Sequence, residues 1–148
     1  MKDESVKLSG YIRFDLYNEN GKLKDTREIK NVIVTVGKAY LATWLTAATQ
    51  SGPFMSYIGL GTGSTAATSA DTALETELPT RVQGTLTPST NVWQNQATFG
   101  AGINTGAITE SGIFSAPSAG TMLARQVFSV INKTSTDVLQ VTWQVTLS

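Results

Sequence analysis

Residues 137–148 constrain the fold more tightly than any other segment. Leu139, Val141, Trp143, Val145 and Leu147 fall on one side, and Val138, Gln140, Thr142, Gln144 and Thr146 on the other. A period of two is a strand's period, and the apolar set places this strand over a core. The same signal recurs upstream. Residues 7–17 alternate around Leu8, Tyr11 or Ile12, Phe14 and Leu16. The Asn-Gly pair in 18–21 marks a tight turn, and 22–34 carries a second strand with Ile29 and Ile33, broken at Asn31. Further strands are expected at 55–60, 81–88, 91–101, 108–114 and 121–131. In 91–101, Val92, Gln94 and Gln96 alternate against Trp93, Ala97 and Phe99.

One segment has the other period. Val36, Tyr40, Leu41, Trp44, Leu45 and Ala48 recur at helical spacing, which predicts a helix over 35–49. Thr35 is its expected N-cap, and Ser51, Gly52 and Pro53 its stop. Its apolar stripe should cover one end or face of a sheet. The expected fold is therefore mainly β: a jelly-roll-like β-sandwich of about eight antiparallel strands with one inserted α-helix. Residues 7–148 form a single domain, and 1–6 a polar segment that is either a flexible arm or a frayed terminus.

Composition excludes much chemistry. The chain of 148 residues has neither Cys nor His, so disulfides, thiolate metal sites and His-dependent nucleophiles do not arise within it. Lys+Arg and Asp+Glu are 11 each, which gives no net field to steer nucleic acid or an anionic membrane. Charged residues make up 15%, below the roughly 25% of ordinary soluble domains. Such a surface suits contact with other protein; it also suits a plain Ser- and Thr-rich β protein. No run approaches the ~20 apolar residues of a membrane span. The opening MKDESVK is charged and lacks the apolar stretch of a signal peptide, so synthesis and use without Sec export are expected.

The stretch 55–81 is the most unusual. A short apolar strand leads into Gly59, Gly61 and Gly63, then small polar residues, then an acidic segment ending at Arg81. A phosphate loop would need a following Gly-Lys-Ser/Thr and a helix, and both are missing. Glycines here are expected to supply positive φ for a turn. Asp71, Glu75, Glu77 and Glu110 lack the spacing of a calcium loop and read as solvated acids, and neither a cofactor nor a metal is expected. Arg81, Glu110 and Arg125 sit among apolar or small residues. A buried carboxylate needs a cation, so Glu110 is expected to pair with one of the two arginines, within the sandwich or across a subunit contact. Trp93, Tyr57 and Phe54 are candidates for a sugar-binding face or for core. Lys22, Lys24, Arg27 and Lys30, interleaved with Asp25 and Glu28, read as a solvated edge strand.

The order of elements — NVIVTVGKAYLATWL from Asn31, then YIGLGTGSTAATSADTAL with LPTR, then AITESGIF, MLARQVF and a closing VLQVTWQVTL — resembles small virion proteins of tailed bacteriophages. The resemblance spans residues 31–148. It implies a non-enzymatic capsid decoration (cement) protein on the capsid surface, made in the host bacterial cytoplasm. Such a protein would be a homotrimer binding the major capsid protein, with no nucleic-acid or membrane partner. Similar domains in tail-fibre and baseplate proteins are the alternative. Expected partner contacts are Lys2, Asp3 and Glu4 in the arm and Gly61, Thr62, Ser64 and Asp71 in the loop.

Overall fold

The computed structural model describes residues 5–49 and 54–148. It shows a β-sandwich of two five-stranded sheets with one helix. Strands β1 (Leu8–Tyr17), β2 (Leu23–Lys30), β10 (Val138–Leu147), β7 (Val92–Phe99) and β6 (Thr85–Ser89) form the first sheet, in the order β2-β1-β10-β7-β6. The second has the order β3-β9-β8-β4-β5, from β3 (Val32–Ile33), β9 (Met122–Lys133), β8 (Gly106–Phe114), β4 (Tyr57–Gly61) and β5 (Val82–Gln83). Every pairing is antiparallel. Helix α1 (Thr35–Thr46) lies between β3 and β4.

Eight strands are five residues or longer, and the two shortest arise from chain corners. At Asn31 the chain leaves β2 in one sheet and enters β3 in the other, and at Gly84 it passes from β5 to β6 in the same way. Strands that switch sheets close the corners of a sandwich. The alternation of the last strand sets the core: Leu139, Val141, Trp143 and Val145 are fully buried. They meet Phe14, Phe99, Ile58, Leu60, Ile108 and Leu123 from both sheets in one cluster. Fully burying each such side chain contributes about 1.5–3 kcal/mol. The Trp143 indole donates to Ser111 Oγ at 3.3 Å.

The tight turn expected at 18–21 is present, and two local expectations about the helix change. The β1–β2 turn is organised by Asn18, whose Oδ1 accepts from the amides of Asn20 and Lys22 at 3.0 and 2.9 Å, with Gly21 at φ 74°. Thr35 is the first helical residue rather than the cap; Val34 holds the cap position and no side chain caps the helix. The apolar stripe of α1 covers the core in part: Tyr40 and Leu41 pack against the main cluster, and Val36 against a smaller one of Val34, Leu74, Phe114 and Met122. Gly37 is the one buried residue of α1, and a Cβ there would lie 2.6 Å from the Leu123 Cα, so α1 seats on β9 through backbone contact. Tyr40, Leu41 and Trp44 are half-buried and Leu45 is 70% exposed. Ser51, Gly52 and Pro53, and with them Lys2, Asp3 and Glu4, lie outside the described residues.

Candidate functional site

Two features stand out: a loop locked by buried charge, and an open apolar groove. The loop 62–76 leaves β4 and returns alongside it. Glu110 on β8 is opposite Gly61 and has no solvent exposure. Its Oε1 accepts from the amides of Gly63 (3.0 Å) and Thr76 (2.7 Å). Its Oε2 accepts from the Glu75 amide and from Arg125 Nε, each at 3.0 Å. The glycine-rich loop is thus an anion cradle of backbone N–H groups, and the anion in it is the chain's own carboxylate. A Cβ on Gly61 would stand 2.4 Å from Glu110 Oε1 and 2.5 Å from the Thr76 carbonyl oxygen. Space, not positive φ, demands glycine there; among the described residues the positive-φ glycines are Gly21, Gly102, Gly106 and Gly120.

Arg125 completes the lock. It donates to Asp71 Oδ2 at 2.8 Å and to the Thr65 carbonyl at 3.1 Å, and approaches Glu75 Oε2 at 3.6 Å. Three of the acids read as solvated therefore converge on one buried guanidinium. Burial raises the Asp71 pKa, but the Thr68 bonds and Arg125 outweigh it and hold the carboxyl below its ordinary value. The Thr65 amide and hydroxyl hold Glu75 low as well. Burial opposes the charge on Arg125, yet Asp71 and Glu110 raise its pKa further. Arg81 is elsewhere. It pairs with Glu77, stacks 3.5 Å over the Phe114 ring, and donates to the carbonyls of Ala116 and Ala119.

The expected loop contacts differ in their surroundings. Gly61 is buried in β4, and Asp71 is committed to Arg125 and Thr68. Thr62 and Ser64 are exposed. No cluster of acids suited to a metal ion occurs among the described residues.

The groove was not legible as a site. Tyr40, Leu41, Trp44 and Leu45 of α1 form one wall, and Leu86, Pro88 and Trp93 the other, around a volume of about 560 Å³. No charged residue lines it. Leu86 and Pro88 occupy the core-facing side of β6, where α1 stands across from them. Phe54, 57% exposed, lies at the groove with Met55. Trp93 and Phe54 thus come together; Tyr57 packs with the separate cluster of Val34, Leu74, Phe114 and Met122. The signal in sequence was a helix stripe that runs on past its packed residues Val36, Tyr40 and Leu41 to Trp44 and Leu45.

No family model, curated protein or solved structure matches the chain.

Proposed function

We propose that this chain is a structural binding protein of a tailed-bacteriophage particle, in first place a capsid decoration protein that attaches to the major capsid protein as a homotrimer. The observation that carries the reading is the groove. A rigid sandwich holds open an uncharged apolar cleft beside exposed Leu45 and Phe54, and apolar clefts of this kind take a partner's apolar side chains. The locked loop 62–76 supports the same reading, because a preorganised surface loses less freedom on binding. A protein that binds only the assembled shell would stabilise it by mass action.

The test is the stoichiometry of the chain in purified particles, by quantitative mass spectrometry against the major shell protein. A ratio of one to a small integer is the expected result. A few copies per hundred shell subunits would move the protein to the tail or a vertex, and absence from the particle would refute the proposal.

A further inference from the structure

The outer face of the first sheet carries a second, chemically different surface. None of the residues of β6, β7 and β10 is charged, although solvent-facing strand positions commonly hold Lys or Glu. Their registers align polar side chains into rows. Thr85, Gln96 and Thr142 face one another across three strands. In the next row Gln94 pairs with Gln144, and Gln144 with Tyr11 of β1. The alternation that buries Leu139, Val141, Trp143 and Val145 turns this set to the other face of the sheet, where Thr142 is still buried and Tyr11, Gln94, Gln96 and Gln144 are half-buried. Part of it is already ordered: Gln96 Nε2 donates to Thr142 Oγ1 at 3.1 Å, and the Tyr11 hydroxyl donates to Gln144 Oε1. Gln94 makes no side-chain hydrogen bond among the described residues, and Gln144 uses only its oxygen. The charged border starts beyond, with Arg13 tied to Asp15 at 3.0 Å and Lys30 opposite Tyr11.

We infer that this face binds a neutral glycan. The lack of charge on β6, β7 and β10 favours it: a charged ligand would lose hydration there, the adjoining Arg13, opposite Thr142, being already paired with Asp15. Amide groups each present donors and an acceptor, and sugar hydroxyls are likewise both. Adjacent strands lie about 4.8 Å apart, comparable with the length of one pyranose unit, so successive rings can meet successive side chains along one row. Tyr11 offers an aromatic plane at the border. A protein partner is disfavoured because the patch lacks the buried aromatic and Arg anchors that carry such interfaces. Glycan binding here does not depend on where the chain is located.

The full chain is probed with an array of neutral hexose and N-acetylhexosamine oligosaccharides, and hits are titrated by calorimetry. Binding to at least one neutral oligosaccharide is expected. Gln94→Ala and Gln144→Ala together should weaken it about ten-fold or more, with the melting temperature lowered by no more than a few degrees through loss of the Tyr11–Gln144 bond, while Lys22→Ala in the exposed turn leaves it intact. Gln94→Glu, which keeps the side-chain size, serves as a second variant and should weaken binding too. No bound neutral oligosaccharide would overturn the inference, as would equal binding by the variants. Self-association through this face, abolished by Gln94→Glu, would also overturn it in favour of a second copy as the occupant.

Discussion

Removal of the Glu110 carboxylate is the sharpest probe of how the loop is held. In Glu110→Ala three backbone donors, the amides of Gly63, Glu75 and Thr76, lose their acceptor. Arg125, 3% exposed, loses its fully buried partner and keeps Asp71, the Thr65 carbonyl and a distant Glu75. Breaking a buried pair from one side costs about 3–5 kcal/mol. The three amides alone, at about 1–3 kcal/mol for each donor left without a partner, would exceed that if none were hydrated. Hydration of the Glu75 and Thr76 amides, which are only part-buried, brings the expectation back to about 3–5 kcal/mol. For a domain of this size that lowers the melting temperature by roughly 6–20 °C. Calorimetry measures the loss, and hydrogen exchange at the three amides locates it. A fall under about 2 °C with unchanged protection of those amides would refute the claim that Glu110 organises the loop.

The lock should also weaken in acid. Asp71 and Glu75 are held below their ordinary values, so the stability they add is full above about pH 4 and is lost as pH falls through their folded values; Asp71→Asn should flatten that loss in denaturant titrations between neutral and acid pH. Gly37→Ala should cost about 1–3 kcal/mol and change Trp44 fluorescence, because α1 must lift from Leu123; an unchanged spectrum would contradict the seating of the helix. The groove should bind an apolar dye such as ANS in the native state, and Leu86→Glu should abolish the signal without unfolding the chain. Lys133, 1% exposed with its ammonium on the Gly100 carbonyl at 2.8 Å, has its pKa lowered by burial. Its charge is therefore a penalty that fades as pH rises through the folded value, so Lys133→Met should hold or raise the melting temperature, and a fall of more than about 4 °C would show that the ammonium is required.

The sandwich was legible because period-two alternation is a local signal. Each of the eight expected strands has a counterpart, including the break at Asn31. The two-residue ends β3 and β5 were not separable, since a chain that changes sheet keeps its extended pattern. The pairing of Glu110 with Arg125 rather than Arg81 depends on β8–β9 register, which places residue 112 opposite 125; nothing in the intervening sequence states it. The convergence of Asp71 and Glu75 on the same guanidinium was hidden for the same reason, as 54 residues separate Asp71 from Arg125. Positive φ was expected of the loop glycines because turns usually need it, whereas here a carboxylate presses on the backbone.

The low charge of the chain is distributed, not dilute. Asp15, Glu110, Arg125, Lys133 and Asp137 are buried, and β2 alone carries Lys24, Asp25, Arg27, Glu28 and Lys30. What is left uncharged is the far half of the first sheet, and there a single alternation makes two surfaces. On β6 and β7 the inward set, Leu86, Pro88 and Trp93, walls the groove, while the outward set, Thr85, Gln94 and Gln96, forms the polar rows. The two surfaces lie back to back across one sheet, so an occupant of one need not displace an occupant of the other. Two consequences follow from that geometry. An apolar dye seated in the groove should leave neutral-glycan affinity unchanged. A one-residue insertion within β6 should impair both at once, because a slip of one residue exchanges the faces. Competition between dye and glycan would mean that the two surfaces are not separate, and that the occupant of one reaches across the edge of β6 to the other.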